Sequence, residues 1–152
     1  MTTDYLRTEW DRAIDAFRDA QVLLANGGFD GAASRAYYAA FHAVTALFAL
    51  EGRIFTKHSA VEAAVHRDLV KAGRWPSDLG RDFSFCVETR GVGDYGTDVR
   101  VDAKQATDAI ASARRILVAV RDAPRELSTG TGRMTMPRQR IVEGAKPMTI
   151  GR

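Results

Sequence analysis

A single cysteine, Cys86, stands in a chain of 152 residues, so no internal disulfide can form. The first residues, Met-Thr-Thr-Asp-Tyr, lack the basic and apolar regions of a secretion signal, and a cytoplasmic location is expected. No apolar run reaches the roughly 20 residues needed to cross a bilayer. The longest, Ala36 to Leu50, is interrupted by His42 and Thr45, so no membrane association is expected. Period-two alternation is missing, which leaves no strand pattern. Neither a Cys-x-x-Cys nor a His-Glu-x-x-His spacing occurs. No metal ligand set is therefore expected, nor any other cofactor.

What the chain does contain is helical periodicity. Leu6, Trp10, Ile14, Phe17 and Leu24 recur at three, four and seven between Asp4 and Ala25, and Asn26-Gly27-Gly28 ends that first helix. A second helix is predicted from about Asp30 to Leu50, apolar almost all round and hence central. A third is predicted from Thr56 to Lys71, capped by Thr56 or Ser59, with Gly73 beyond its end. After the connector Trp75-Pro76-Ser77, a fourth should carry Leu79, Phe83, Cys86 and Val87 on one side and reach Thr89 or Arg90, where Gly91-Val92-Gly93 stops it. A fifth runs from about Asp102 to Arg121, with Ala106, Ala109, Ile110, Ala113, Ile116, Leu117 and Val120 inward. Five helices with short connections indicate an all-α fold, an up-and-down bundle over residues 1–123.

Beyond Ala123 the composition changes. Pro124, Pro137 and Pro147 interrupt a stretch with few apolar residues, predicting a flexible or partner-bound tail over residues 124–152. The charge is uneven as well. Of the formal +3, the tail holds six basic against two acidic residues, which leaves the bundle near −1. Attraction to an anionic partner is thus expected from the tail, above all Arg138 and Arg140, or from local clusters.

Three groups of side chains could carry chemistry. On the second helix Arg35, Tyr38 and His42 fall at i, i+3 and i+7, so they can share a face; Tyr37, Phe41 and Phe48 form an adjacent apolar strip. That polar trio reads either as a groove-facing cluster or as core aromatics with satisfied polar tips. His58 and His66 lie eight apart, with His58 at a helix start. Last comes Arg90-Gly-Val-Gly-Asp94-Tyr95. An arginine at a helix end can reach phosphate, Asp94 can orient it or act as a base, and Tyr95 can stack. The same stretch also reads as a structural turn, with Arg90 and Asp94 paired, Gly91 and Gly93 at positive φ, and Tyr95 packed on the last helix.

Taken in order, "AASRAYYAAFHAVTALF", "KHSAV", Arg-x-x-x-Asp-Tyr and an alanine-rich final helix resemble the small single-domain branch of the HEPN family over about Asp4 to Arg121. The resemblance implies a helical bundle that dimerises and is often encoded beside a minimal nucleotidyltransferase in toxin–antitoxin or defence pairs. In the many family members that are metal-independent RNases, an Arg-x4-6-His motif from both protomers forms the site at the dimer interface, and its arginine matches Arg90. Here no histidine follows Arg90 at that spacing, only Asp94 and Tyr95.

Two functions are therefore expected as alternatives. One is a homodimeric module binding a nucleotidyltransferase-type partner and nucleotide or RNA. The other is an RNase rebuilt around Arg90 with Asp94, Tyr95 or His42, with Arg35, Tyr38, His58, Arg138 and Arg140 as RNA-binding residues. The many aromatics, among them Tyr37, Phe41, Phe48, Trp75, Phe83 and Tyr95, suggest an interface beyond one bundle.

Overall fold

In the computed structural model, residues 2–124 are described. The predicted tail beyond Pro124, including Arg138 and Arg140, lies outside the described residues. Five helices follow in order: α1 (Thr2–Ala25), α2 (Phe29–Leu50), α3 (His58–Ala64, continued by a π-helical segment, Val65–Val70), α4 (Ser77–Tyr95) and α5 (Ala103–Arg121). Among the described residues there is no strand, and the all-α bundle is as the periodicity predicts.

Helix α2 is the centre. It packs against α1 most extensively and also against α4 and α5. Its alanines at 32, 33, 36, 39, 40, 43, 46 and 49 are buried, and their small side chains let three helices approach it closely. Into that frame α1 inserts Leu6, Trp10, Ile14 and Phe17, while α5 inserts the seven residues expected of it. Burying each of the larger side chains contributes about 1.5–3 kcal/mol, which is why these spaced apolar positions set the topology.

The third helix and the end of α4 differ from expectation. The third helix begins at His58, with Lys57 as N-cap and no side-chain cap from Thr56 or Ser59. Its second half widens to π geometry, with Lys71 N–H donating to the His66 carbonyl at 2.9 Å. Asp30 lies inside the first turn of α2. Its carboxylate accepts from Val101 N–H and Arg100, both at 2.9 Å, and so anchors the loop that enters α5. These two bonds hold the Asp30 carboxyl below the usual carboxylate range.

The largest difference is at α4, which passes through Gly91 and Gly93 and ends only after Tyr95. Neither glycine has positive φ; the positive-φ glycines are Gly27, Gly52 and Gly73. Gly93 serves close packing. A Cβ there would lie 2.9 Å from the Asp30 carbonyl oxygen and 3.3 Å from Asp30 Cα, so the last turn of α4 rests directly on the start of α2. The absent side chain brings two backbones together rather than breaking a helix.

Most of the aromatics are consumed by this one bundle. Tyr37, Phe48 and Phe83 are fully buried, and Phe41 and Trp75 nearly so. Tyr38, Phe55 and Phe85 are partly buried, and Tyr95 is 72% exposed rather than packed on the last helix.

Candidate functional site

Extending α4 by one turn carries Arg90 alongside α2, where two consecutive tyrosines meet it. The Tyr37 and Tyr38 rings lie 5.2 Å apart, nearly edge to face. The Arg90 guanidinium carbon sits 4.8 Å from the Tyr37 ring, 5.5 Å from Tyr38 and 5.6 Å from Tyr95, within cation–π range of all three. Its Nε donates to Asp94 Oδ2 at 2.9 Å and an Nη to the Tyr38 hydroxyl at 3.3 Å. Only 19% of the side chain remains exposed. Burial opposes its charge, but Tyr38, Asp94, Tyr95 and Tyr37 together outweigh that and hold its pKa above the usual arginine value.

Of the turn reading, the Arg90–Asp94 pair alone is present, and it forms within a continuous helix rather than in a turn. Asp94, one turn below Arg90 on the same helix, orients the guanidinium. Engaged in that pair, it is poorly placed to act as a base as well.

The face predicted from spacing on α2 forms as expected. Arg35 covers the Tyr38 ring at 4.8 Å, and His42 stacks on the same ring at 6.2 Å. Tyr38 is thus flanked by two guanidinium groups and an imidazole. His42 itself is committed elsewhere: its Nδ1 lies 2.7 Å from Glu9 Oε2, and Glu9, whose side chain is 5% exposed, also accepts from Arg12 at 2.9 Å. Burial pushes the Glu9 carboxyl up, yet the bonds from His42 and Arg12 prevail and keep it below the ordinary glutamate range.

His58, the first residue of α3, comes back to the same cluster. It stacks on Phe41 at 4.1 Å and sits 6.4 Å from Tyr37 and 6.1 Å from Tyr38. Its Nδ1 is 3.4 Å from the Tyr37 hydroxyl, which donates to Glu62 Oε1 at 2.9 Å. Burial, then the Glu62 carboxylate, push the Tyr37 phenol well above its ordinary pKa, so it stays protonated at any working pH. The structure thus gathers Arg35, Tyr38, His42, His58, Arg90, Asp94 and Tyr95 around one pair of rings. Tyr37 and Glu62 are not legible in the sequence as members of this cluster. Tyr37 reads as part of the apolar strip, while Glu62 stands at i+4 from His58, a spacing that places the two on one face of α3.

Other features do not share this site. His66 faces Ser84 across 3.3 Å between the π-helical segment and α4. A concavity of 680 Å³ between α4 and α5 is lined by Leu79, Arg81, Asp82, Arg114, Arg115 and Val118 and holds none of the predicted residues. Asp82 there accepts two 2.8 Å bonds from Arg115, and Arg114 covers the Phe17 ring at 5.1 Å, so these charges are engaged structurally. Cys86 is buried, its thiol pushed up to about 12 mainly by burial, and is inert as a nucleophile. No helix among the described residues is long and apolar enough to cross a membrane.

Comparison with known proteins agrees with this architecture. The HEPN domain model matches residues 7–123. A UPF0332 protein of Thermotoga maritima is 38% identical over 109 residues, covering 72% of this chain and 83% of the relative.

Proposed function

Because the chain belongs to the HEPN-domain family, we propose that it is a dimeric module of a prokaryotic toxin–antitoxin or defence pair, engaging a nucleotidyltransferase-type partner and presenting the Arg90 cluster to nucleotide or RNA. The observation that carries the nucleic-acid part is the convergence of Arg90, Arg35, Tyr38, Tyr95 and His58 on one surface region. Guanidinium groups meet phosphate, and exposed rings such as Tyr95 stack on bases. The dimer and the nucleotidyltransferase partner rest on the family resemblance.

The test is fluorescence anisotropy with labelled single-stranded and structured RNA in EDTA. Arg90→Ala is expected to weaken binding about tenfold or more, the loss of a charge-assisted phosphate contact. Unchanged affinity would remove Arg90 from the binding surface.

A second reading, a metal-independent endoribonuclease, is favoured by a specific observation. An imidazole, that of His58, lies beside the same Tyr37 ring as Arg90 although no histidine follows Arg90 in sequence. The same RNA samples run on a denaturing gel distinguish the readings. Cleavage abolished by Arg90→Ala supports the enzyme, and intact RNA with retained binding supports the module.

A further inference from the structure

Metal-free cleavage of an RNA backbone needs a group to accept the 2′-hydroxyl proton and a cation beside the phosphorane. Arg90 can be the cation. Among the candidates for the base, Asp94 holds Arg90, and His42 has its Nδ1 on the buried Glu9 carboxylate.

Tyr37 settles the third candidate. Its hydroxyl has one proton, which it donates to Glu62 at 2.9 Å. Toward His58 Nδ1, 3.4 Å away, the phenol oxygen can then only accept. A hydrogen bond there requires the imidazole proton on Nδ1, which leaves Nε2 its lone pair. Stacking on Phe41 at 4.1 Å and the Tyr38 edge at 6.1 Å hold the ring plane, and His58 is exposed, so Nε2 is the nitrogen left to meet a bound strand. The titratable and charged groups around this imidazole are Tyr37 and Tyr38 from α2, Glu62 from α3, and Arg90 from α4 against the same two rings.

Resting on the endoribonuclease reading, we propose that His58 is the general base, that Tyr37 and Glu62 are positioning residues fixing its tautomer, and that the substrate is RNA by virtue of its 2′-hydroxyl. His58 Nε2 takes the proton from the 2′-oxygen, which attacks the adjacent phosphorus while the Arg90 guanidinium balances charge on the phosphoryl oxygens. The bond from phosphorus to the 5′-oxygen breaks, and that oxygen takes a proton from water. The products are a 2′,3′-cyclic phosphate and a 5′-hydroxyl, with no redox change and no further reactant.

The experiment uses the full chain in EDTA with a 5′-labelled RNA and the same strand carrying one 2′-deoxy substitution at the cleaved position. His58→Ala is expected to slow cleavage about 100-fold or more, with the circular dichroism spectrum unchanged. The deoxy strand should stay intact. Tyr37→Phe and Glu62→Gln should alter the acid limb of the pH–rate profile, and nitrogen-15 NMR should find the Nδ1–H tautomer of His58 in the wild type and its loss in Tyr37→Phe. If Arg90→Ala abolishes cleavage but His58→Ala does not, the assignment of the base fails and the endoribonuclease reading stands. If the wild type cleaves neither strand, both fall. A wild-type Nε2–H tautomer overturns the relay.

Discussion

At the scale of single residues, two glycines in α4 carry opposite predictions. A Cβ added at Gly91 would meet nothing within 4 Å, whereas one at Gly93 would strike the Asp30 backbone at 2.9 Å. Gly91→Ala should therefore gain helix propensity and raise stability by about 0.5–1 kcal/mol. Gly93→Ala should lose about 1–3 kcal/mol through overpacking against backbone, and should weaken RNA binding because Arg90 and Tyr95 ride on the displaced turn. Urea midpoints at one protein concentration and anisotropy check both. Glu9 gives a pH prediction. Its pKa is lower folded than unfolded, so its ionisation stabilises the fold above the ordinary glutamate range near 4.3. That contribution disappears as pH falls through the lower folded value. Glu9→Gln should accordingly flatten the acid-side loss of stability in a pH series of urea melts. Neither pattern is legible in the sequence. Glycine twice within three residues reads as a break, and only the facing backbone of Asp30 shows that one is a contact and the other spare.

Among the elements, legibility follows how much each helix depends on its own sequence. Helix α5 is readable almost residue for residue because its seven inward positions keep the 3.6-residue period and its start is local chemistry. Asp102 accepts from Gln105 N–H at 2.7 Å while the Gln105 side chain accepts from Asp102 N–H at 3.0 Å. Asp102→Ala should cost about 1 kcal/mol, read as a lower thermal midpoint. The third helix reads as one regular run because nothing in its sequence marks where it widens. Val70 approaches α4 where Gly80 has no side chain, and a Cβ there would lie 2.9 Å from Val70 Cγ2. Val70 is β-branched and cannot easily turn away. Gly80→Ala should therefore destabilise by about 1–3 kcal/mol and speed hydrogen exchange at the Lys71 amide that closes the π turn. The candidate site divides the same way. Arg35, Tyr38 and His42 share one helix and are visible as a spacing. The link from His58 through Tyr37 to Glu62 joins α3 to α2 across long separations in sequence, and no local pattern encodes it.

For the whole molecule, the question is how many chains make one site. A dimer is expected from the family, and light scattering should return twice the 16.7 kDa chain mass. The geometry adds a sharper expectation. Arg90 and His58 lie 4.8 and 6.4 Å from the same Tyr37 ring, so guanidinium and imidazole are joined within one chain. Two chains would then bring two such pairs together rather than divide one pair between them. Mixing inactive Arg90→Ala chains with inactive His58→Ala chains, unfolding and refolding them together, gives hybrids in which no chain holds both groups. Such hybrids should remain as slow as either parent in the RNA gel assay. Recovery of roughly a quarter of wild-type rate, from the random half of molecules that are hybrid with one rebuilt site of two, would mean instead that each arginine serves the imidazole of its neighbour.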